Sequence, residues 1–242
     1  MSYHQKLLAD QSALSLSRLG FDTTKIEQGS NEWRVARLGC MTASRASDII
    51  ATGRGGKGYG KARDTYLLEL IGEVATGQSP EQGEFKQTQW GHEHEDSARQ
   101  IFAFHVGTPV LETPFIYANE EMRYGCSPDG IADDHSGIEI KSPWTTKVYL
   151  DFLLNGEIKP EYIDQVQFSM FVTGLPYWHF ACFDPRMKTK PFHAVTIERD
   201  ESMMKTFADA VGQMAYDMDV ALQKLGMKFG DQWVHDALKE VA

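Results

Sequence analysis

The sixteen residues Cys126–Lys141, CSPDGIADDHSGIEIK, contain the pattern that decides the fold. They predict a turn that contains Asp129, a short strand, a polar connection, and a second strand that contains Glu139 and Lys141. Side chains alternate between the two faces of a strand, so Glu139 and Lys141 point one way while the isoleucines beside them point the other way. The stretch therefore predicts a hairpin that places a carboxylate beside an ammonium on an apolar backing, with Asp129 at the same edge.

Two acids and a lysine on one strand edge suit a site that holds a divalent metal ion and a water beside a phosphate. The main-chain carbonyl of Ile140 lies between Glu139 and Lys141. Glu95 borders the apolar face of a predicted helix and is the candidate third carboxylate. Carboxylate oxygens are hard ligands matched to Mg²⁺ or Mn²⁺, and the lysine can orient the water or help to deprotonate it. The alternative is a surface Glu–Lys pair with a turn aspartate, which is the usual fate of such residues.

Composition limits the classes of protein to consider. A chain of 242 residues with 42% hydrophobic content can form one domain with a proper core. Lys+Arg of 24 against Asp+Glu of 34 gives a net charge of −10, which argues against a simple monomer that coats DNA with a basic face. Three scattered cysteines indicate a reducing compartment, without a disulfide framework or structural zinc. Without an apolar run long enough to span a bilayer, we expect a soluble, cytoplasmic protein that makes no membrane contact.

Hydrophobic periodicity and turn residues predict an α/β fold in a single domain. An N-terminal arm, loose or helical, occupies 1–28, and a short helix precedes residue 50. Longer helices are expected at 64–76, 90–106, 145–155, 160–173 and 201–225, and strands at 110–118, 123–126, 177–183 and 192–198. Methionines at helical spacing in the last helix indicate a core or subunit contact and not a cofactor site.

Two stretches suggest a nucleotide-binding loop and a zinc site, but the residues in each stretch argue against that function. The glycine-rich tract at 52–63 contains GxxxxGK, but Ala62 stands where a phosphate-binding loop needs Ser or Thr. Its basic residues suit a mobile loop that touches a nucleic-acid backbone, although a solvated loop fits equally well. These residues are Arg54, Lys57, Lys61 and Arg63. His92 and His94 diverge on a helix, so a solvated helix start is a better interpretation than a zinc site.

Six motifs follow one another between about residues 28 and 233. They are Trp33-x-x-x-Arg37-Leu-Gly-x-x-Thr42-Ala-Ser44, Trp90-Gly91-x-x-x-Glu95, Cys126-Ser-Pro-Asp-Gly130, Glu139-x-Lys141-x-Pro143, Gln165-Val-Gln167-x-Ser-Met170 and Asp184-Pro-Arg-Met187. Together they resemble the phage lambda-type alkaline exonucleases, also called the YqaJ-type viral recombinase family, within the PD-(D/E)xK nuclease superfamily. The resemblance implies a restriction-endonuclease-like core, a central mixed sheet flanked by helices, as a nuclease domain at 29–233 followed by a C-terminal tail at 234–242.

The resemblance also implies an activity. It is that of a homotrimeric ring that digests one strand of linear double-stranded DNA 5′ to 3′ from a 5′-phosphorylated end, and leaves a 3′ overhang for recombination. Two Mg²⁺ ions, replaceable by Mn²⁺, and a single-strand annealing protein are the implied cofactors and partner, with a phage or prophage origin in a bacterial host. A closed ring would reconcile the net charge of −10 with DNA binding, because the basic groups need only line its channel.

By the same resemblance, Asp129, Glu139 and the Ile140 carbonyl hold one metal ion, and Asp129 with Glu95 holds the second. Lys141 is the catalytic lysine. Gln165 and Tyr162, a further implied pair, place the water or the scissile phosphate. The implied DNA-binding residues are Trp33, Arg37, Ser44, Arg54 and Ser127. Among these, a guanidinium and two hydroxyls would receive the terminal 5′-phosphate, Arg54 would reach the DNA from a loop, and Trp33 also fits a core position.

One departure from the family pattern is Thr88, which stands where the lambda-type enzyme has an apolar wedge that parts the strands. Strand separation would then use another side chain or be less efficient. Two alternative functions remain: an endonuclease of the same core, of restriction or repair type, and a catalytically dead DNA-end-binding module. The endonuclease would nick covalently closed circles, whereas an exonuclease needs an end, and the intact set of Asp129, Glu139 and Lys141 disfavours the dead module.

Overall fold

The computed structural model describes residues 2–79 and 86–234, and for residues 86–88 only the main chain. Within these ranges the helices are α1 (Tyr3–Leu19), α2 (Asn31–Arg37), α3 (Ala46–Ile49), α4 (Lys61–Thr76), α5 (Lys86–Val106), α6 (Thr146–Asn155), α7 (Pro160–Thr173) and α8 (Glu201–Lys224). The strands are β1 (Met41–Thr42), β2 (Val110–Leu111), β3 (Ile116–Tyr117), β4 (Tyr124–Cys126), β5 (Gly130–Ala132), β6 (Ser136–Lys141), β7 (Tyr177–Phe183) and β8 (Phe192–Glu198). None of the described helices is long and apolar enough to cross a membrane.

A five-stranded mixed sheet in the order β2-β5-β6-β7-β8 occupies the centre. β6 lies in its middle, antiparallel to β5 and parallel to β7. β8 pairs antiparallel with β7, and among the described residues it has no second neighbour, so it forms one edge of the sheet. A smaller sheet in the order β1-β4-β3 leads into the turn before β5. The predicted α/β core, a mixed sheet flanked by helices, is confirmed.

The predicted hairpin is formed by β5 and β6. In the turn between them, Asp134 Oδ1 accepts hydrogen bonds from the main-chain N–H and the hydroxyl of Ser136 (3.0 and 2.5 Å). Every residue of β6 except Lys141 is buried, so the strand is covered on both faces. A Cβ at Gly137 would lie 2.4 Å from the ring of Trp178 on β7, and the close approach of β6 to β7 therefore requires glycine there.

The main core packs α4, α7 and α8 against the central sheet. Met204, Met214 and Met218 of α8 are buried in it, which confirms the core position predicted for the methionine stripe. Unbranched thioether side chains fill irregular space well, which suits a long helix that crosses several elements.

The N-terminal arm is helical and packs on the body of the protein. α1 begins with a capping box formed by Ser2 and Gln5 and ends at Gly20, which has a φ of 80°. Buried Gln11 donates from Nε2 to the Tyr117 carbonyl (3.0 Å) and accepts at Oε1 from the Tyr117 N–H (2.9 Å). Its side-chain amide thus takes the place of a neighbouring strand at the outer edge of β3.

Two local predictions were wrong. The strand expected at 110–118 is divided into β2 and β3, which belong to different sheets. Pro114 lies between them and lacks an N–H, so a continuous strand is disfavoured. Arg63 does not belong to a basic loop, because it lies in α4, is 2% exposed, and donates to Asp217 (2.5 Å) while its guanidinium stacks on Tyr59.

Candidate active site

The turn and β6 bring two acids and a lysine together at the end of β6. Buried Glu139 accepts two hydrogen bonds at Oε1, from Lys141 Nζ (2.5 Å) and from Gln165 Nε2 of α7 (2.7 Å). Asp129 Oδ2 accepts a hydrogen bond from the main-chain N–H of Ile140 (2.5 Å). The two-residue spacing along the strand and the preceding turn therefore place these groups side by side, as the sequence predicts.

Glu95 approaches the same acids from α5. Arg99, one helical turn later, donates from Nη2 to Glu95 Oε1 (2.9 Å) and from Nε to the Asp129 carbonyl (2.6 Å). Its side chain is 11% exposed and also lies near Asp96 and Glu112 (3.3 and 3.4 Å). Arg99 joins the helix to the turn, and it was not among the predicted site residues. Its i,i+4 spacing from Glu95 was the signal that could have identified it.

Glu95, Asp129, Glu139 and Lys141 line a cavity of about 400 Å³. The ring centre of Tyr162 lies 5.0 Å from Lys141 Nζ on its wall. Gln28 also lines the cavity and donates to the Pro128 carbonyl (3.1 Å). It is a second site residue that was not predicted. A larger groove of about 740 Å³ lies between α1, β3 and the end of α7, but among the described residues its acids are only Asp10 and Glu120. The chemistry therefore points to the smaller cavity.

Mutual repulsion among the acids marks the centre of the site. Burial raises the pKa of Asp129 well above its usual value, and the carboxylates of Glu139 and Glu95 raise it further. Burial also raises the pKa of Glu95, although Arg99 opposes this shift. Two buried carboxyls, Asp129 and Glu95, whose raised pKa values reflect burial and neighbouring carboxylates, indicate a place suited to a positive ion.

A divalent cation fits this donor set by chemistry and by charge. The carboxylates of Asp129, Glu139 and Glu95 and the carbonyl of Ile140 are the hard oxygen ligands that Mg²⁺ and Mn²⁺ prefer. In the part of the chain that the structure describes, no three His, Cys, Asp or Glu side chains are already arranged as a metal-binding group. Lys141, with Gln165 and Arg99, instead hydrogen-bonds to the acids. Metal binding would require these side chains to rearrange.

Lys141 is held as an ammonium in this arrangement. Burial alone would lower its pKa, but the Glu139 and Asp129 carboxylates outweigh burial and raise the pKa above its usual value. An ammonium at this position can orient a water or a phosphate oxygen, the first of the two roles that the sequence suggests.

A second cluster contains three of the residues expected to bind DNA, and two of them, Arg37 and Ser127, were expected at the 5′-phosphate. The Arg37 guanidinium lies 3.7 Å from the ring centre of Trp33, and Trp33 Nε1 donates to Ser127 Oγ (3.0 Å) and to the Pro114 carbonyl (2.9 Å). Trp33 also packs against the core around Phe115. It therefore occupies the core position that the sequence suggests and also contacts two of the residues expected at the 5′-phosphate. Among the described residues, buried Arg37 Nε has no hydrogen-bond partner. Its N–H could therefore donate a hydrogen bond to an oxyanion.

Ser44 and Arg54 are not joined to this cluster by a direct contact in the described part of the chain. Ser44 is exposed, and its hydroxyl lies 3.3 Å from Thr42 Oγ1. Arg54 is exposed in a short turn at residues 54–56. The Thr88 side chain, where the family has its wedge, lies outside the described residues.

The two histidines of α5 differ in their surroundings. His92 is 65% exposed, as predicted for a solvated helix start, but it also lines the cavity and lies 3.9 Å from Glu95 Oε2. His94 packs between Trp90 and Phe183, with ring centres 4.1 and 6.3 Å away. The prediction of a solvated position was therefore wrong for His94, because its face of the helix meets the end of β7.

Comparison with known proteins agrees with this arrangement. Residues 32–176 match the YqaJ-like viral recombinase domain. The alkaline exonuclease LHK-Exo of Laribacter hongkongensis, also solved in complex with dAMP, is 30% identical with a TM-score of 0.72 over 81% of this chain and 96% of LHK-Exo. A phage related exonuclease from Haemophilus somnus 129PT shares the fold, with 16% identity and a TM-score of 0.58 over 77% of this chain and 96% of that one.

A short relative is known from Escherichia coli (strain K12). It is the uncharacterized protein ExoD, which is 45% identical over 86 residues, or 35% of this chain and 99% of ExoD. The domain match covers more than half of the chain, and LHK-Exo is similar over almost its whole length. The chain therefore belongs to the YqaJ-like viral recombinase family.

Proposed function

We propose that this protein is a Mg²⁺-dependent exonuclease that digests one strand of linear double-stranded DNA 5′ to 3′ from a 5′-phosphorylated end. It leaves a 3′ single-stranded overhang for homologous recombination by strand annealing. The observation that carries the proposal is the convergence of Asp129, Glu139 and Lys141 at the end of β6, inside a cavity of about 400 Å³. Membership of an alkaline exonuclease family agrees with that chemistry.

The acids and the lysine divide the work of phosphodiester hydrolysis. Asp129, Glu139 and the Ile140 carbonyl would hold one divalent ion, and Asp129 with Glu95 a second. Such ions neutralise the phosphate charge and lower the pKa of a water. Lys141 Nζ lies beside these acids, where it donates to Glu139, and its ammonium would donate a hydrogen bond to an oxygen of the reacting group.

Two residues of α7 support that geometry. Gln165 Nε2 donates a hydrogen bond to Glu139 Oε1 (2.7 Å), which places its side-chain amide beside the acids. Tyr162 lies against Lys141 and forms part of the cavity wall. We assign to this pair the placement of the water or of the scissile phosphate.

The cluster of Trp33, Arg37 and Ser127 provides the end preference. A guanidinium binds phosphate oxygens through paired hydrogen bonds, and the stacked Trp33 ring holds Arg37 in place. Ser127 adds a hydroxyl and lies two residues before Asp129, so the terminal phosphate and the acids are adjacent. Ser44 and Arg54 would contact DNA further from the scissile bond.

The deciding experiment compares end-labelled linear duplexes with covalently closed circles, each with and without Mg²⁺. We expect release of nucleotides from the 5′ end of the linear DNA only, and only with Mg²⁺. Nicking of the circles would instead identify an endonuclease with the same core. Binding to ends without nucleotide release at any Mg²⁺ or Mn²⁺ concentration would identify a DNA-end-binding module.

A further inference from the structure

The Asp184-Pro-Arg-Met187 motif has no role in the mechanism described above, yet its side chains join three elements of the active site. Asp184 is fully buried and accepts hydrogen bonds from Arg186 Nε (2.7 Å) and Nη2 (2.9 Å). Arg186 also donates to the carbonyls of Pro143 (3.1 Å) and Trp144 (2.9 Å). The motif therefore fixes the main chain just after β6, close to Lys141.

The same arginine reaches the start of α5. Its guanidinium lies 4.8 Å from the ring centre of Trp90. Trp90 in turn meets Trp144 edge to face, with ring centres 5.7 Å apart and planes at 85°. The main chain and the ring of Trp144 are thus both held, while 46% of the residue stays exposed. A large aromatic ring that is held in place and left open to solvent is suited to binding a flat ligand.

Trp144 does not line the acidic cavity itself, but its neighbours in the chain do. Ser142 and Pro143 on one side of it and Val148 on the other line that cavity. The Cα atoms of Trp144 and Lys141 are three residue steps apart, which is about 10 Å at most for extended chain. Bases along one DNA strand are about 3.4 Å apart, so this distance corresponds to about three nucleotides.

We infer that Trp144 is a binding site for a nucleobase of the strand being degraded, within about three nucleotides of the scissile bond. Asp184 and Arg186 act as positioning residues that hold the site. Base–aromatic stacking does not depend on sequence, which suits an enzyme that must digest any sequence. Such a contact would keep the degraded DNA strand in register with the acids while the complementary strand separates from it. The inference rests on the proposed exonuclease function.

The test uses 5′-phosphorylated linear duplexes with one abasic residue at the first, second, third or fourth nucleotide of the degraded strand. With the parental protein, we expect one of these positions to raise KM by about tenfold, the value of one base–aromatic stack. Trp144→Ala should raise KM for intact DNA by a similar factor, with a smaller change in kcat. It should also be insensitive to the abasic residue that affects the parent, because the stacking partner is already missing.

Trp144→Phe is the conservative variant and should recover most of the parental KM and the sensitivity to that abasic residue. Phe104→Ala is the matched control, since Phe104 is an aromatic residue of α5 that is 89% exposed and does not line the cavity. It should behave like the parent. Thermal unfolding and elution volume are measured for each variant, and Trp144→Phe carries the test if Trp144→Ala fails to fold.

Three results would overturn the inference. One is a Trp144→Ala variant that matches the parent on intact DNA, and another is one that responds to every abasic position as the parent does. The third is a change of elution volume with Trp144→Ala or Trp144→Phe, which would make Trp144 a contact between protein copies. Binding measured with Ca²⁺ in place of Mg²⁺ separates the two proposals. A parent that binds DNA but releases no nucleotides with Mg²⁺ contradicts the exonuclease function, while a base-dependent loss of binding in Trp144→Ala still supports the stacking site.

Discussion

Glu139 Oε1 accepts hydrogen bonds from both Lys141 and Gln165. The buried carboxylate of Glu139 therefore holds the lysine side chain at the proposed reaction site. We expect Lys141→Ala to lower the rate of digestion of linear duplex by at least about 100-fold, the usual cost of removing one donor from a transition state. Duplex binding should be largely intact, because the residues proposed to bind DNA lie outside this cavity. Single-turnover digestion and a binding titration with Ca²⁺ measure the two effects.

Lys147→Ala is the matched control for that variant. Lys147 is an exposed lysine of α6 that does not line the cavity, so its removal costs the same charge without touching the acids. If Lys141→Ala still degrades linear DNA at the parental rate, the role assigned to Lys141 is wrong.

Arg37 should determine the preference for phosphorylated ends. A hydrogen bond to a charged group is worth about 1.5–3 kcal/mol, so Arg37→Ala should lower the ratio of rates on 5′-phosphate and 5′-hydroxyl duplexes by about tenfold or more. Arg34→Ala provides the comparison, because Arg34 is an exposed arginine of the same helix that bonds to Asn31. An unchanged ratio in Arg37→Ala would remove this residue from the end pocket.

Site residues that share a local sequence pattern could be predicted from the sequence. Site residues that are brought together by packing between distant elements could not. Glu139 and Lys141 share a strand face, and a strand of period two is enough to predict it. Gln28 reaches Pro128 across a separation of 100 residues, which no local pattern reports. Arg99 was visible as a partner of Glu95, but its bond to the Asp129 carbonyl depends on how α5 packs against the turn.

At the scale of elements, α1 is joined to the segment that follows it, residues 22–25, through a network centred on Asp22. Asp22 accepts hydrogen bonds from the Thr24 N–H (3.0 Å) and hydroxyl (2.7 Å) and from the Ser12 hydroxyl of α1 (2.9 Å). Burial raises the pKa of Asp22, but these hydrogen bonds outweigh burial and leave the pKa at about 2. The ionised carboxylate therefore stabilises the folded state.

This network predicts a pH-dependent loss of stability in Asp22→Ala. A depressed pKa contributes stability that is fully present above the unfolded value near 4 and is lost as the pH falls towards 2. We expect Asp22→Ala to lower the free energy of unfolding by about 1–2 kcal/mol at pH 7, and the difference from the parent to shrink below pH 4. Urea unfolding at several pH values measures it. Asp10→Ala, an exposed aspartate of α1, should show no such trend, and a difference independent of pH would contradict the assignment.

Elements with an uninterrupted period were predicted well. The strands at 177–183 and 192–198 agree with β7 and β8 residue for residue, since β-branched and aromatic residues continue through both. The helix expected at 90–106 begins earlier, at Lys86, because its first turn has no apolar stripe to mark it. The division at Pro114 was missed because membership of a sheet is decided by pairing partners far away in sequence.

At the scale of the whole molecule, a net charge of −10 has to be reconciled with a DNA substrate. We propose a homotrimeric ring, because a channel would concentrate the basic groups while the acidic surplus faces outward. We expect light scattering to give about three times the chain mass of 27.3 kDa. A fully active species with the mass of one chain would contradict the ring.

The sheet edge at β8 has a consequence for recovery of the protein after denaturation. The seven residues of β8, FHAVTIE, present main-chain donors and acceptors along this edge. They carry little charge that would repel a strand of another chain. Strands of this kind adhere to their copies while the chain is incompletely folded. The yield of refolding should therefore fall as the concentration of denatured chain rises, and a lysine in place of exposed Thr196 should restore it.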